Sequence, residues 1–159
     1  MSLRDHIRSE LAAARRSGDE LRRNVLGMVA NAAQYAEKDR RRPLTDEEYV
    51  AVLAREVKTR RESVDAFRAG GREDLASREE REIEILQEFL PAALSDDELR
   101  SLVTEGIAAT GASSMRDMGK VMGWLIPRTR GRADGKRVSE LVAQVLAATD
   151  LAAHADTAH

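Results

Sequence analysis

Five basic side chains fall within ten residues: Arg128, Arg130, Arg132, Lys136 and Arg137. Gly131 and Gly135 are interleaved with them, and Lys120 lies upstream. Guanidinium groups offer paired donors that match phosphate oxygens, and free N–H groups at a helix start add to them. On a glycine-bearing loop that feeds a helix, this set points to a phosphate backbone, bound with strong salt dependence and little base specificity. Charge runs are more often solvated faces, so a solvated loop, or a contact with the acidic stretch 73–98 of the same chain, is the standing alternative.

Other chemistries find less support. The chain has no cysteine, which excludes thiolate nucleophiles, disulfides and cysteine-ligated metals. Its three histidines, His6, His154 and His159, have no metal-ligand spacing. Ser113 and Ser114 lack the sharp elbow of a serine nucleophile, and Ser114 reads as a helix cap. Met118-Gly119-Lys120-Val121-Met122-Gly123 lacks the strand and hydroxyl of a phosphate-binding loop. Gly119 and Gly123 sit four apart in a helical pattern, and close packing on a neighbouring helix outweighs a ligand role for them. No catalytic residue, metal site or cofactor is assigned.

The elements that must position the basic loop are helical. Helix one runs from the Ser2 cap to Gly18 with Leu3, Ile7, Leu11 and Ala14 on one face. In helix two, from Asp19, the stripe Leu21, Val25, Met28, Ala32 and Tyr35 reads as the buried seam. Thr45 with Glu48, and Ser95 with Glu98, are capping boxes for helices three and five. Helix four spans about Glu73 to Leu90, ahead of Pro91. Helix six starts at Ser114 and ends at Pro127; Asp134 caps helix seven, which carries Val138, Leu141, Val142, Val145 and Leu146. The expectation is an all-α fold. Residues 1–92 form an N-terminal four-helix subdomain, 93–148 a small three-helix subdomain, and 149–159 a flexible tail.

The 26 basic and 28 acidic residues nearly cancel, so global charge names no partner. Locally they do not cancel. Residues 73–98 carry ten acids against Arg78 and Arg81, and residues 112–137 carry seven bases against Asp117 and Asp134. Aromatic residues are 3%, which argues against a β-sandwich or a base-stacking sheet. No apolar run is long enough to span a membrane, and the first residues lack a signal-peptide core; a cytoplasmic location is expected.

The order of motifs carries a resemblance. Lys58-Thr59-Arg60-Arg61-Glu62-Ser63 is followed by Phe67-Arg68-Ala69-Gly70-Gly71-Arg72-Glu73-Asp74-Leu75. Phe89-Leu90-Pro91 and Leu94-Ser95-Asp96-Asp97-Glu98-Leu99 come next, then Gly111 to Gly123, then Gly131-Arg132-Ala133-Asp134-Gly135-Lys136. From about Leu3 to Ala148 the chain resembles the stand-alone members of the GatB/YqeY family. The resemblance implies an all-helical fold of four helices followed by three. It also implies kinship with the tail of the GatB subunit of glutamine-dependent aminoacyl-tRNA amidotransferase, which helps recognise tRNA.

The family label that comes with the resemblance is carbon–nitrogen ligase with glutamine as amido-N-donor. The amidase and ATP-dependent sites of that enzyme lie outside this module, so no catalytic residue transfers. What transfers is the basic stretch from Gly111 to Lys136, with tRNA or an amidotransferase-type assembly as the implied partner. Trp124 departs from the small residue expected after Gly123, and reads as a core anchor or an exposed stacking platform. The rival reading is a protein-interaction adaptor that uses acidic helix four and apolar grooves and touches no RNA.

Overall fold

A computed structural model describes the backbone of residues 1–157 and the side chains through residue 152. It is all-α: seven α-helices and one short 3₁₀ turn, with no strand among the described residues. The chain forms two compact units, Met1–Pro91 and a second beginning at Ala92.

In the first unit, α1 (Leu3–Ser17), α2 (Glu20–Arg40), α3 (Asp46–Ala69) and α4 (Glu73–Gln87) pack in sequence. Ser2, Asp19 and Thr45 cap the first three; Thr45 and Glu48 form the expected reciprocal box. Ile7, Leu26, Val29, Leu53 and Leu86 fill the core with almost no exposure.

The seam of α2 is displaced from its expected place. Val25, Leu26, Val29 and Ala33 are buried, while Met28 and Tyr35 are 54% and 75% exposed. The helix contacts α1, α3 and α4, and from Leu26 the stripe one residue further on, Leu26, Val29, Ala33 and Ala36, is apolar too, so it can turn that face inward. Helix α4 stops at Gln87, three residues early. The last N–H groups, of Glu88, Phe89 and Leu90, bond three residues back, tightening the chain into turns before Pro91.

Acidic α4 is paired within its own unit. Glu82 meets Arg60, Glu80 meets Arg68, and Glu88 accepts from Arg22 at 2.8 Å. Arg60 is buried, with Glu56 at 2.6 Å and Glu82 at 3.3 Å. Burial and the neighbouring Glu82 carboxylate push the Glu79 carboxyl up.

The second unit holds α5 (Asp96–Thr110), the 3₁₀ turn Met115–Asp117, α6 (Met118–Thr129) and α7 (Gly135–Thr157). Val103, Val121, Leu125, Val138, Val142 and Leu146 form its core. Ser95–Glu98 and Ser114–Asp117 are both capping boxes. Two ends differ from expectation. Pro127 lies inside α6, because a proline in the last turn forfeits one bond, to the Gly123 carbonyl, and the Arg130 N–H still reaches Ile126. Helix α7 continues through residues 149–157, where a flexible tail was expected. Alanine favours helix there, and the Asp150 carboxylate accepts from the Met115 N–H at 3.2 Å. The expectation for residues 158–159, including His159, and for the side chain of His154 lies outside the described residues.

Candidate nucleic-acid interface

The six basic residues singled out in the sequence all lie in the second unit, in three different situations. Lys120 is exposed on the first turn of α6, with its ammonium 3.9 Å from Asp117. That carboxylate is held below its usual range, chiefly by the Ser113 N–H at 2.9 Å, with the Ser114 N–H and the Lys120 charge adding to it. Arg130 is the C-cap of α6 and is exposed, with no ion pair among the described residues. Lys136 is exposed on the first turn of α7, and its N–H donates to Asp134.

Arg132 has a structural task. Its Nε donates to the Ala92 carbonyl at 3.1 Å, and its own carbonyl accepts from the Leu94 N–H at 2.8 Å. The loop folds back because the N–H groups of Arg132 and Ala133 both bond to the Thr129 carbonyl, with Gly131 at φ 75° between. Only a residue without Cβ adopts that left-handed conformation without strain. Arg137 is half-buried at the start of α7.

Arg128 is exposed but engaged. Its Nη1 donates to the Trp124 carbonyl at 2.6 Å, and its guanidinium carbon lies 3.8 Å from the centre of the Trp124 ring. Trp124 is half-buried and packs on the second core, so it is an anchor whose outer side carries a cation. Arg128 is thus tied to its own helix, Arg132 is pinned to Ala92, and Arg130 carries no such bond among the described residues.

Gly119 and Gly123 reverse the packing expectation. Beyond its chain neighbours and the adjoining backbone of α6, a Cβ on either would meet no atom of the described residues within 4 Å. The glycine that does mediate close packing is Gly106 on α5, where a Cβ would stand 2.8 Å from Trp124. At about 100° per residue, Gly119, Lys120, Gly123, Ile126 and Pro127 fall within roughly 120° of α6, and all are exposed. The result is a bare helix surface, its backbone open to close approach, with Lys120 on one border and Arg130 beyond its C-terminal end. The glycine spacing marked this face in the sequence, but it was read in favour of packing, which the open space at both positions overturns.

Among the described residues there is no group of three or more potential metal-ligating side chains, and no helix is long and apolar enough to cross a membrane.

Known proteins resemble this chain over most of its length. The family model described as "Yqey-like protein" matches residues 4–146. An uncharacterised protein of Schizosaccharomyces pombe, C22F3.15, is 31% identical over 90 residues, covering 57% of this chain and 73% of the relative. A Pyrenophora tritici-repentis protein named "Altered inheritance of mitochondria protein 41, mitochondrial" is 25% identical over 146 residues, covering 89% of this chain and 80% of the relative.

Proposed function

We propose, for a chain that belongs to the YqeY-like family, a non-catalytic role in binding the phosphate backbone of a structured RNA of the tRNA kind. In this reading the four-helix part is a carrier and the three-helix part makes the contact. It acts alone or as an accessory of an amidotransferase-type assembly, in the cytoplasm. The kinship with carbon–nitrogen ligases that use glutamine is then one of shared RNA recognition, not shared chemistry.

The observation that carries this reading is the exposed α6 face. Glycine in a helix costs roughly 1 kcal/mol relative to alanine, and neither Gly119 nor Gly123 offsets this by packing inside the chain. A bare helix surface admits a sugar–phosphate backbone closely, while Lys120, Arg130 and Lys136 supply charge.

The test is binding of the full chain to total tRNA across a salt series, beside a Lys120→Ala/Arg130→Ala/Lys136→Ala variant. Direct phosphate contacts predict that the log–log salt slope falls by about two to three units in the variant. Absence of binding at low salt overturns the reading.

A second reading has one observation in its favour. Met28 and Tyr35 lie seven residues apart on the outer face of α2, both exposed. They suit an adaptor surface for a protein partner. Part of the acidic face of α4 is already engaged, since Glu80 and Glu82 meet arginines of the same unit.

A further inference from the structure

Lys120, Trp124 and Arg128 recur every four residues and form one row along α6. Both members of the Trp124–Arg128 pair are fixed before any ligand arrives. The indole is seated against the backbone of α5, because Gly106 leaves no Cβ there and one would stand 2.8 Å from Cε3. The guanidinium is held on the ring by its bond to the Trp124 carbonyl and by its contact with the indole face. Arg128 is exposed and meets no carboxylate among the described residues, so the side of the guanidinium turned from the indole faces solvent.

A planar cation held this way, with further N–H donors to spare, is a stacking surface. Unpaired RNA bases stack on arginine planes as they do on aromatic rings, and every base has a π-face to offer. A paired stem offers phosphates to Lys120 but no open base.

We propose that the Trp124–Arg128 stack is a platform for one unpaired nucleobase of the bound RNA, with Lys120 on the neighbouring phosphate. This rests on the RNA-binding reading and narrows it: the ligand is a loop or bulge, not a duplex. The pair then supplies orientation that phosphate contacts alone lack.

The experiment uses the full chain and three RNAs of equal charge: a hairpin with an unpaired loop, the same hairpin with abasic loop residues, and a fully paired duplex. Binding is followed by anisotropy of labelled RNA. Trp124, the single tryptophan, reports locally through its emission. The wild type is expected to favour the base-containing loop over the abasic one by about tenfold, within the range of one stacked base. Its emission is expected to change when the base-containing loop binds, as the base stacks on the guanidinium over the indole, and to stay unchanged with the duplex.

Arg128→Lys keeps the charge and removes the plane. It is expected to bind the duplex as the wild type does while its preference for bases falls to about twofold or less. Equal wild-type affinity for normal and abasic loops overturns the platform but leaves RNA binding standing. A base preference that survives intact in Arg128→Lys also overturns it. Failure of the wild type to bind any of the three at low salt overturns the RNA reading itself, and the platform with it.

Discussion

Gly106 and Trp124 are in mutual contact across α5 and α6: the indole occupies the space where a side chain at 106 would begin. Leu125 closes the other side, with its Cγ 3.4 Å from the same point. Neither neighbour is the free end of a flexible chain. Gly106→Ala gains about 1 kcal/mol of helix propensity but overpacks at roughly 1–3 kcal/mol. We expect a net loss of about 1 kcal/mol in urea denaturation, with Trp124 emission shifted to longer wavelength as the ring is pushed outward. A variant as stable as the wild type would show that the two helices separate freely.

Gly123→Ala is the opposite case. Its Cβ meets open space, so the substitution is expected to stabilise the chain by about 0.5–1 kcal/mol. The same methyl group stands on the face proposed for RNA, and tRNA affinity is expected to fall. Thermal denaturation and RNA titration of one variant therefore move in opposite directions. Unchanged affinity in the stabilised variant would remove α6 from the contact surface.

The contrast between these two glycines shows what the sequence could and could not say. Caps are local, and Ser2, Thr45, Ser95 and Ser114 lie where side-chain chemistry put them. Helices α1, α2, α3 and α5 were legible for that reason, and α4, which no side chain caps, by its apolar stripe and the following Pro91. The buried face of α2 was not, because two apolar stripes one residue apart fit the same helix and only its three neighbours choose between them. Gly106 gave no signal against a background of small residues, whereas Gly119 and Gly123 gave one that pointed to packing they do not make. The basic loop was visible as composition. That Arg132 is tied to Ala92 depends on tertiary geometry that spacing does not encode, whereas the Arg128–Trp124 contact spans four residues of one helix.

Arg60 was not anticipated as a core residue. It is 5% exposed between Glu56 and Glu82, with Met28 Sδ 3.5 Å from its Nη2. Arg60→Ala leaves those carboxylates half-buried without their cation, beside Glu79, whose carboxyl is already raised. A loss of about 3 kcal/mol is expected in denaturant titrations. Adding Glu82→Gln should return part of it, and a double variant no better than the single one would assign the loss to cavity formation instead.

Arg41 is the one non-glycine residue with positive φ among the described residues, at 57°, where α2 ends. Glycine or asparagine normally takes such a position. Arg41→Gly relieves the left-handed strain but gains unfolded-state entropy, so a net stabilisation of roughly 0.5 kcal/mol is expected, or about 1–2 °C in melting temperature. A lower melting temperature would mean that the Arg41 side chain contributes more than its backbone forfeits.

Glu48 joins the end of α2 to the start of α3. Its Oε1 accepts from Arg42 at 2.7 Å and from the Thr45 N–H at 3.0 Å, while its Oε2 lies 2.7 Å from Nε of Arg40. The Arg42 bonds, then the Thr45 N–H, hold this carboxyl down at about 2, against an ordinary 4.5. A carboxyl whose value is depressed in the folded state favours folding fully above its unfolded value. The contribution is lost as pH falls through the folded value. The stability difference between wild type and Glu48→Gln should therefore be constant above about pH 4.5 and close progressively towards pH 2. In an NMR titration, the Glu48 carboxyl should show its midpoint near 2, moving up in Arg42→Ala. A midpoint at the ordinary value would mean that the arginine clamp does not hold in solution, and the pH window would vanish with it.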